Sequence, residues 1–299
     1  MVKASKAGSR VLHSTGENVF MVFNYIFLGM IAFLCLYPML YVLFASLSTN
    51  TGLMQHSGPL LLPIGFSFAA YEKVLQNPMI LLGYRNTLFI LIMGLIVNLL
   101  MTSLGAYFLS RKGVLFKKPI MMLVTFTMFF SGGMIPAYLN MRDFHLINNF
   151  WGLIIPGAIS TYNMIIMRTS FQSIPDSLTE AALIDGAGHF SILFNVVLPL
   201  SKSIIAVMIL YYGIGIWNSW FWGSVILRDR TLYPLQVVLR EILLQNSTQD
   251  MMVDATDAES VAETIKYATI IVATVPILCV YPFLQKYFAR GALIGSLKG

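Results

Sequence analysis

Long apolar runs separated by short polar segments dominate the chain. A helix needs about 20 mostly apolar residues to cross about 30 Å of hydrocarbon. Six runs are long and apolar enough to do so: 20–45, 87–109, 119–139, 150–170, 203–222 and 267–288. The pattern predicts an all-α, polytopic membrane protein with six transmembrane helices.

Proline and glycine interrupt several of these runs, for example at Gly132-Gly133 and Pro136 in the third one. Proline removes an amide donor and glycine weakens a helix, so these positions predict kinks. The alternative is that both residues are simply more frequent in membrane helices than in soluble ones.

Composition leads to the same class of protein. Hydrophobic residues make up 57% of the 299 residues, charged residues 11%, and the mean hydropathy is +0.76. Such a chain has too few polar groups to cover a soluble globule. The first run is too long for the core of a signal peptide and is predicted to be retained. We predict one membrane domain, 20–288, between a cytoplasmic N-terminal segment, 1–19, and a cytoplasmic tail, 289–299.

The distribution of charge predicts which side faces the cytoplasm. An even number of spans places both termini on one side, and 12 of the 19 lysines and arginines lie on that side. The positive-inside rule makes it the cytoplasm. The remaining connections, 46–86 and 223–266, are then outward loops. The formal net charge of +6 needs no nucleic-acid partner, because no basic run with interleaved aromatic residues occurs.

One polar segment, 175–200, interrupts the apolar pattern on the cytoplasmic side. Ser177 and Glu180 have the spacing of a capping box, which predicts a helix beginning at the serine. Gly186 and Gly188 are predicted to end that helix, because glycine adopts a positive φ without strain. A second short helix is predicted from His189 to Val197. This helix–bend–helix is interpreted as a docking element for a motor.

The segment carries a motif that resembles a known family. Glu-Ala-Ala, three residues, Gly, nine residues, an aliphatic residue, one residue and Leu-Pro resembles the cytoplasmic signature of membrane subunits of bacterial ATP-binding-cassette (ABC) importers. Valine replaces the usual isoleucine. The matching residues are Glu180, Ala181, Ala182, Gly186, Val196, Leu198 and Pro199.

Other segments are similar to the carbohydrate-uptake branch of that family, to which the maltose importer's permeases belong. They are Ile184-Asp185-Gly186-Ala187 and Val197-Leu198-Pro199-Leu200. The segments 35–38, 130–136 and 294–299 resemble the permeases of complex-oligosaccharide importers.

The resemblance implies a type I ABC importer permease in the bacterial cytoplasmic membrane. It implies a second homologous permease subunit, two ATP-binding subunits that bind ATP and magnesium, and an extracytoplasmic solute-binding protein received by the outward loops. It favours an oligosaccharide substrate, with some relatives taking acidic, uronate-containing fragments. The residues expected to couple the permease to the ATPase are Glu180, Ala181, Ala182, Asp185, Gly186, Leu198 and Pro199. For Glu180, an ionic contact with the ATPase and a purely helix-capping role both stay open.

Motifs for catalysis are absent from the sequence. No Gly-x-x-x-x-Gly-Lys-Ser/Thr phosphate loop occurs, so we expect ATP hydrolysis to belong to another polypeptide and this subunit to be no enzyme. Cys35 and Cys279 lie in apolar runs without metal or redox spacing, and the four histidines have no partners at ligand spacing. We predict no catalytic residue, no metal site and no cofactor in this chain.

A dense aromatic cluster, 211–222, is the candidate substrate pathway. Flat aromatic faces and an amide can hold a sugar, which makes Trp217 and Asn218 the candidate residues. The alternative is an aromatic belt at the membrane interface. No ionisable residue lies clearly inside a predicted span, because Arg85 and Arg168 are at span ends. This argues against a proton- or sodium-driven carrier.

Two other functions remain open at the level of sequence. The coupling motif also fits a permease for peptides or another small solute. A stand-alone membrane channel or scaffold with no motor is the alternative from a different class.

Overall fold

The computed structural model describes residues 14–249, 263–280 and 282. The predicted cytoplasmic tail, most of the N-terminal segment and most of the acidic run that begins at Asp250 lie outside the described residues. Apart from one isolated bridge between Ser48 and Phe66, the described residues form helices and connections. The predicted all-α class is confirmed.

The described helices follow one another along the chain. In chain order they are α1 Thr15–Ser46, α2 Asn50–Gln55, α3 Ala69–Gln76, α4 Pro78–Ser110, α5 Lys117–Phe129, α6 Met134–Asp143, α7 Trp151–Ile154, α8 Thr161–Gln172, α9 Asp176–Ile184, α10 His189–Ile192, a π-helical segment Leu193–Val197, α11 Leu198–Leu200, α12 Lys202–Trp217, α13 Phe221–Ile226, a 3₁₀ turn Arg230–Leu232, α14 Leu235–Gln249 and α15 Glu263–Val280.

Three of the described helices are long and apolar enough to cross a membrane alone: α1, α4 and α15. Two bent pairs raise that number to five if each pair is one span. α5 and α6 meet at 114°, and the helical stretch His189–Leu200 meets α12 at 87°. The bend between α5 and α6 lies at Gly133, whose φ is +86°, as the glycine pair predicts. Six spans remain a prediction.

Two predicted spans end differently from the apolar runs that suggested them. The run 150–170 is two helices, because α7 stops at Ile154 and α8 starts at Thr161. Pro156, between them, has no amide hydrogen to continue a helix. The run 203–222 stops early, because α12 ends at Trp217 and the chain turns before α13.

Helix α4 is the centre of the described fold. It packs against α8, α12 and α14, and its buried positions include small and polar residues such as Gly94, Asn98 and Ser103. Asn77 caps its start by accepting the Met79 amide hydrogen at 3.0 Å. Helix α1, in contrast, exposes most of its apolar side chains and is buried only at its end.

The two predicted outward loops contain helices. α13 and α14 occupy much of 223–266, and α14 lies along the first turns of α4 through the buried residues Leu235, Val238 and Leu239. α2 and α3 occupy part of 46–86, and α4 begins at Pro78 rather than at 87. Within the described residues of these segments, Leu53, Leu60 and Val74 in the first and Leu235, Val238 and Leu239 in the second are buried by packing.

The contact between α4 and α14 depends on a glycine. A Cβ atom at Gly83 would lie 3.0 Å from the Leu235 Cα and 3.2 Å from its nitrogen, both backbone atoms. At Gly213 in α12 the nearest atom would be a Leu91 methyl at 3.9 Å.

We expect Gly83→Ala to destabilise the protein, because crowding α14 costs about 1–3 kcal/mol and outweighs a helix-propensity gain of about 1 kcal/mol. The matched change Gly213→Ala should keep or raise stability. Thermal unfolding of both variants in one detergent checks this. Equal melting temperatures would contradict close α4–α14 packing.

Candidate functional site

The polar segment 175–200, hereafter the coupling segment, starts its first helix two residues before the predicted position. α9 begins at Asp176, with Pro175 at the N-cap position, and no side chain caps it. Proline has a fixed φ that suits the entry to a helix, so it sets the boundary. The predicted capping box is therefore wrong: Ser177 lies inside the first turn, and the Glu180 carboxylate accepts no hydrogen bond from a described residue.

The end of α9 is a glycine cap. Gly186 has a φ of +80°, as predicted. The Ala187 amide donates to the Ala182 carbonyl at 2.9 Å, and the Gly186 amide donates to the Leu183 carbonyl at 3.0 Å. These two bonds define a Schellman motif, and the half-buried Ala182 and Ala187 pack together on the core as that motif favours. Gly188 instead precedes α10 with an ordinary φ of −71°.

The second half of the coupling segment is longer than predicted. Helical structure begins at His189, as expected, but continues through a π-helical segment and Pro199 to Leu200 before the 87° bend into α12. Proline clashes with the carbonyl four residues earlier in a regular helix, and a wider turn relieves that clash. Leu198 and Pro199 therefore shape the connection to α12, whereas Glu180 to Gly186 form one helix and its cap.

A single arginine fastens the coupling segment to the end of α4. The Arg111 Nη1 donates to the Thr179 hydroxyl at 2.9 Å, and its guanidinium carbon lies 4.9 Å from the centre of the Tyr107 ring. Thr179 is buried within α9. The Tyr107 hydroxyl also pairs with the His189 Nδ1 at 3.2 Å. Both helices of the coupling segment are thus attached to the last turn of α4.

An exposed ion pair adds a second link. The Lys112 Nζ and the Asp176 Oδ2 lie 2.5 Å apart, and the two side chains are 86% and 50% exposed. Their hydrogen bond and charges raise the pKa of Lys112 and lower the pKa of Asp176. The pair loses its contribution when pH falls through the lowered pKa of Asp176 or rises through the raised pKa of Lys112. Exposure keeps that contribution small.

The remaining surface of the coupling segment is open and largely apolar. Glu180, Ala181 and Asp185 are exposed, and Ile184 and Phe190 are 86% and 71% exposed. Exposed apolar side chains of this size mark a contact with another protein or with a membrane. The charge of Glu180 acts on the nearby Lys112. The Glu180 carboxylate makes no hydrogen bond or ion pair with a described residue.

A polar cavity of about 310 Å³ lies between α4, α8 and α12. The Tyr212 hydroxyl on its wall pairs with Thr102 Oγ1 at 2.6 Å and accepts the Ser160 amide hydrogen at 2.9 Å. The buried Asn98 Oδ1 has no hydrogen-bond partner among the described residues. The sequence signal for this cavity is an amide in each of two apolar runs, Asn98 and Asn163, and the pattern alone assigns neither amide to a site.

The two candidate substrate residues, Trp217 and Asn218, lie in different environments. Trp217 is only 5% exposed, donates its indole hydrogen to the Ala273 carbonyl at 3.3 Å and packs beside Tyr84. Asn218 is exposed and lines a second cavity, of about 460 Å³, beside α14 and α15. Their role in a substrate pathway stays a prediction. Within the described residues, no group of three histidine, cysteine or acidic side chains could hold a metal ion.

Comparison with known proteins decides the family. The family described as "Binding-protein-dependent transport system inner membrane component" matches residues 4–293, nearly the whole chain. The chain belongs to this family. Membership makes it an inner-membrane transport component, and it agrees with the motif in the coupling segment.

Individual relatives are similar over almost their full length. The polygalacturonan/rhamnogalacturonan transport system permease protein YtcP of Bacillus subtilis is 40% identical over 95% of this chain and 99% of its own. The protein LplC of Bacillus subtilis is also 40% identical, over 96% and 98%. A chain of a bacterial ABC transporter involved in the import of the acidic polysaccharide alginate is 35% identical, with a TM-score of 0.85 over 93% of this chain and 99% of that chain.

A second solved structure supports the fold alone. A chain of a bacterial alginate ABC transporter, in complex with an alginate pentasaccharide-bound periplasmic protein, has a TM-score of 0.61 at 16% identity. The folded arrangement of helices is therefore that of an ABC importer permease.

We expect Arg111→Lys to loosen the coupling segment. Lysine keeps the charge but loses the planar fork that reaches Thr179 and stacks on Tyr107. Losing about 1 kcal/mol or more should speed amide hydrogen exchange in α9 about fivefold or more. Lys112→Gln, which breaks only the exposed pair, is the control and should change exchange little. Equal protection of α9 in wild type and Arg111→Lys would contradict the anchoring role.

Proposed function

We propose that the chain is the permease subunit of an ATP-driven importer for acidic oligosaccharides. The observation that carries this proposal is the coupling segment: a motif-bearing helix, closed by a glycine cap, tied to the central helix on one side and apolar and exposed on the other. A stand-alone channel has no use for such a surface. A motor subunit that covers it accounts for both its exposure and its attachment.

The substrate class comes from the relatives. YtcP is named for polygalacturonan and rhamnogalacturonan, and the similar solved transporter for alginate. Polygalacturonan and alginate are built from uronic acids, which carry a carboxylate on each sugar. We infer that this importer takes short fragments with the same chemistry, brought by a solute-binding protein.

The complex in this proposal contains a second homologous permease, two subunits that bind ATP and magnesium, and the solute-binding protein. This chain itself is no enzyme and holds no cofactor. Both termini and the coupling segment face the cytoplasm, where the ATPase lies, and the basic cluster of Arg111, Lys112 and Lys117 at that end of the bundle supports this orientation.

Force passes from the ATPase to the membrane bundle through the coupling segment. Glu180 to Gly186 contact the ATPase, and Glu180 supplies an ionic contact because the capping role is no longer available to it. Movement of α9 then carries α4 through Arg111, and movement of His189–Leu200 carries α12 through the bend. Closing and opening of the ATPase thereby turn the bundle between inward-facing and outward-facing states.

The proposal is tested by uptake into proteoliposomes that contain the whole complex and its binding protein. We expect ATP-dependent accumulation of acidic trisaccharides from polygalacturonan or alginate and little uptake of maltotriose or tripeptides. Uptake of tripeptides and not of the sugars would show that the substrate is a peptide and contradict the proposed substrate class. Passage of solute without ATP would favour a channel and overturn the importer.

Two glycines separate coupling from general damage to the segment. Gly186→Ser forces a side chain into a left-handed conformation, at a cost of about 1–2 kcal/mol, whereas Gly188→Ser has an ordinary φ and serine suits the start of a helix. Neither new Cβ atom meets a neighbour within 4 Å. We expect Gly186→Ser to lower ATPase stimulation by loaded binding protein and Gly188→Ser to retain it. Full stimulation in both would remove the cap at Gly186 from the coupling mechanism.

A further inference from the structure

The second cavity, which Asn218 lines, has the side chains of a sugar-acid site. It measures about 460 Å³, within the range of about 300–1,000 Å³ typical of small-molecule sites. It lies between the α12–α13 turn, α14 and α15. Its polar and aromatic walls are Asn218, Trp220, Gln236, Arg240, Thr269 and Thr274.

Arg240 supplies a positive charge without a carboxylate partner among the described residues. Its guanidinium carbon lies 3.7 Å from the centre of the Trp220 ring. Two other arginines differ: Arg142 pairs with Asp143 at 3.0 Å and Arg230 with Glu241 at 2.6 Å. Stacking on an indole holds the flat guanidinium in place and leaves its edge donors for a bidentate acceptor.

Thr269 supplies an unsatisfied polar group at the same cavity. Its residue is fully buried, and its hydroxyl has no hydrogen-bond partner among the described residues. The nearby Thr274 hydroxyl, in contrast, donates to the Ile270 carbonyl at 2.7 Å. Leaving a buried hydroxyl unpaired costs about 1–3 kcal/mol. A ligand hydroxyl that reached Thr269 would remove that cost.

We propose that this cavity is a subsite for one uronate unit of an acidic oligosaccharide. Arg240, held in place by its stacking on Trp220, binds the carboxylate, and Asn218, Gln236 and Thr269 bond the hydroxyls of the sugar. The proposal rests on the function proposed above and names the part of this chain that recognises the acid. The cavity at Asn98 has amides and hydroxyls but no cation, so a carboxylate has no charged partner there.

The position of the subsite suits an entry point for substrate. α12 begins beside the coupling segment and ends at Trp217, next to the cavity. Its 16 residues span about 24 Å at 1.5 Å per residue. The subsite is therefore at the end of the bundle remote from the ATPase-facing segment, where a solute-binding protein delivers its cargo.

Arg240→Gln tests the charged contact. The full complex in proteoliposomes is assayed with trigalacturonate, with an acidic trisaccharide from alginate, and with fully methyl-esterified trigalacturonate. We expect the KM for the acidic probes to rise about tenfold to a hundredfold, the value of a hydrogen bond to a charged group, and the KM for the ester to stay unchanged. Arg228→Gln, an exposed arginine outside the cavity, should leave all three unchanged.

Thr269→Val tests the buried hydroxyl without removing volume. Because the unpaired hydroxyl disappears, we expect the ligand-free complex to be as thermally stable as wild type or more so. Uptake of the acidic probes should nevertheless fall several-fold. Thr125→Val in α5, outside the cavity, is the matched control and should not slow uptake, because the Thr125 hydroxyl donates to the Met121 carbonyl at 2.8 Å within its own helix.

The outcomes separate this subsite from the proposed function. If wild type takes up the acidic probes and Arg240→Gln and Thr269→Val do so with the same KM, the subsite is wrong and the importer stands. An equal loss for the acidic and the esterified probe in Arg240→Gln would also overturn it, because the effect would not involve the carboxylate. If wild type transports only neutral sugars or peptides, both proposals fall.

Discussion

Hydrogen bonds near both ends of the apolar helix α4 connect the coupling segment to the segment before α14. The rest of the structure depends on these connections. At one end of α4, Arg111 bonds Thr179 and lies over Tyr107. At the other end, the Asn86 side chain donates to the Thr231 and Tyr233 carbonyls, at 2.8 and 3.1 Å. The whole of α4, 33 residues, extends about 50 Å. Because a continuous helix is stiff, displacement at the coupling segment is carried to the region of α14.

The small and polar positions along α4 make this possible in a membrane. Apolar side chains gain little from packing against one another in lipid, so close approach and hydrogen bonds drive helix association there. Gly83 admits the α14 backbone, and the Thr87 hydroxyl accepts the Leu235 amide hydrogen at 2.8 Å. Asn98 is the exception, because its carbonyl oxygen is buried without a partner among the described residues. That exception lies in a cavity, where a ligand or a moving helix can satisfy it.

The sequence was informative where one residue controls one local feature. Apolar runs predicted the all-α membrane class, Gly186 predicted the positive φ, and the glycine pair predicted the bend between α5 and α6. Errors arose where local patterns compete. Ser177 and Glu180 have the spacing of a capping box, but Pro175 takes the N-cap position two residues earlier. Apolar content could not reveal that 150–170 is two helices.

Tertiary contacts explain what the sequence left out. Trp217 looked like a pathway residue because it is aromatic and near an amide, but its indole is used in packing against α15. The contact between Arg240 and Trp220 could not be predicted from the sequence, because it requires α14 to fold back beside the end of α12. Arg111 likewise acquires its role only when α9 lies against α4. Each of these contacts joins residues far apart in the chain.

The central claim is that the coupling segment and α4 move as one body. Spin labels are attached in place of Ser177 in α9 and Phe108 in α4, in a chain whose Cys35 and Cys279 are changed to alanine. Pulsed electron paramagnetic resonance then measures the distance between the two labels. In complexes whose ATPase responds to loaded binding protein, the account predicts one distance distribution, unchanged between nucleotide-free and ATP-bound states. A distribution that shifts or splits when ATP binds would show that the segment slides on α4, and would contradict the account.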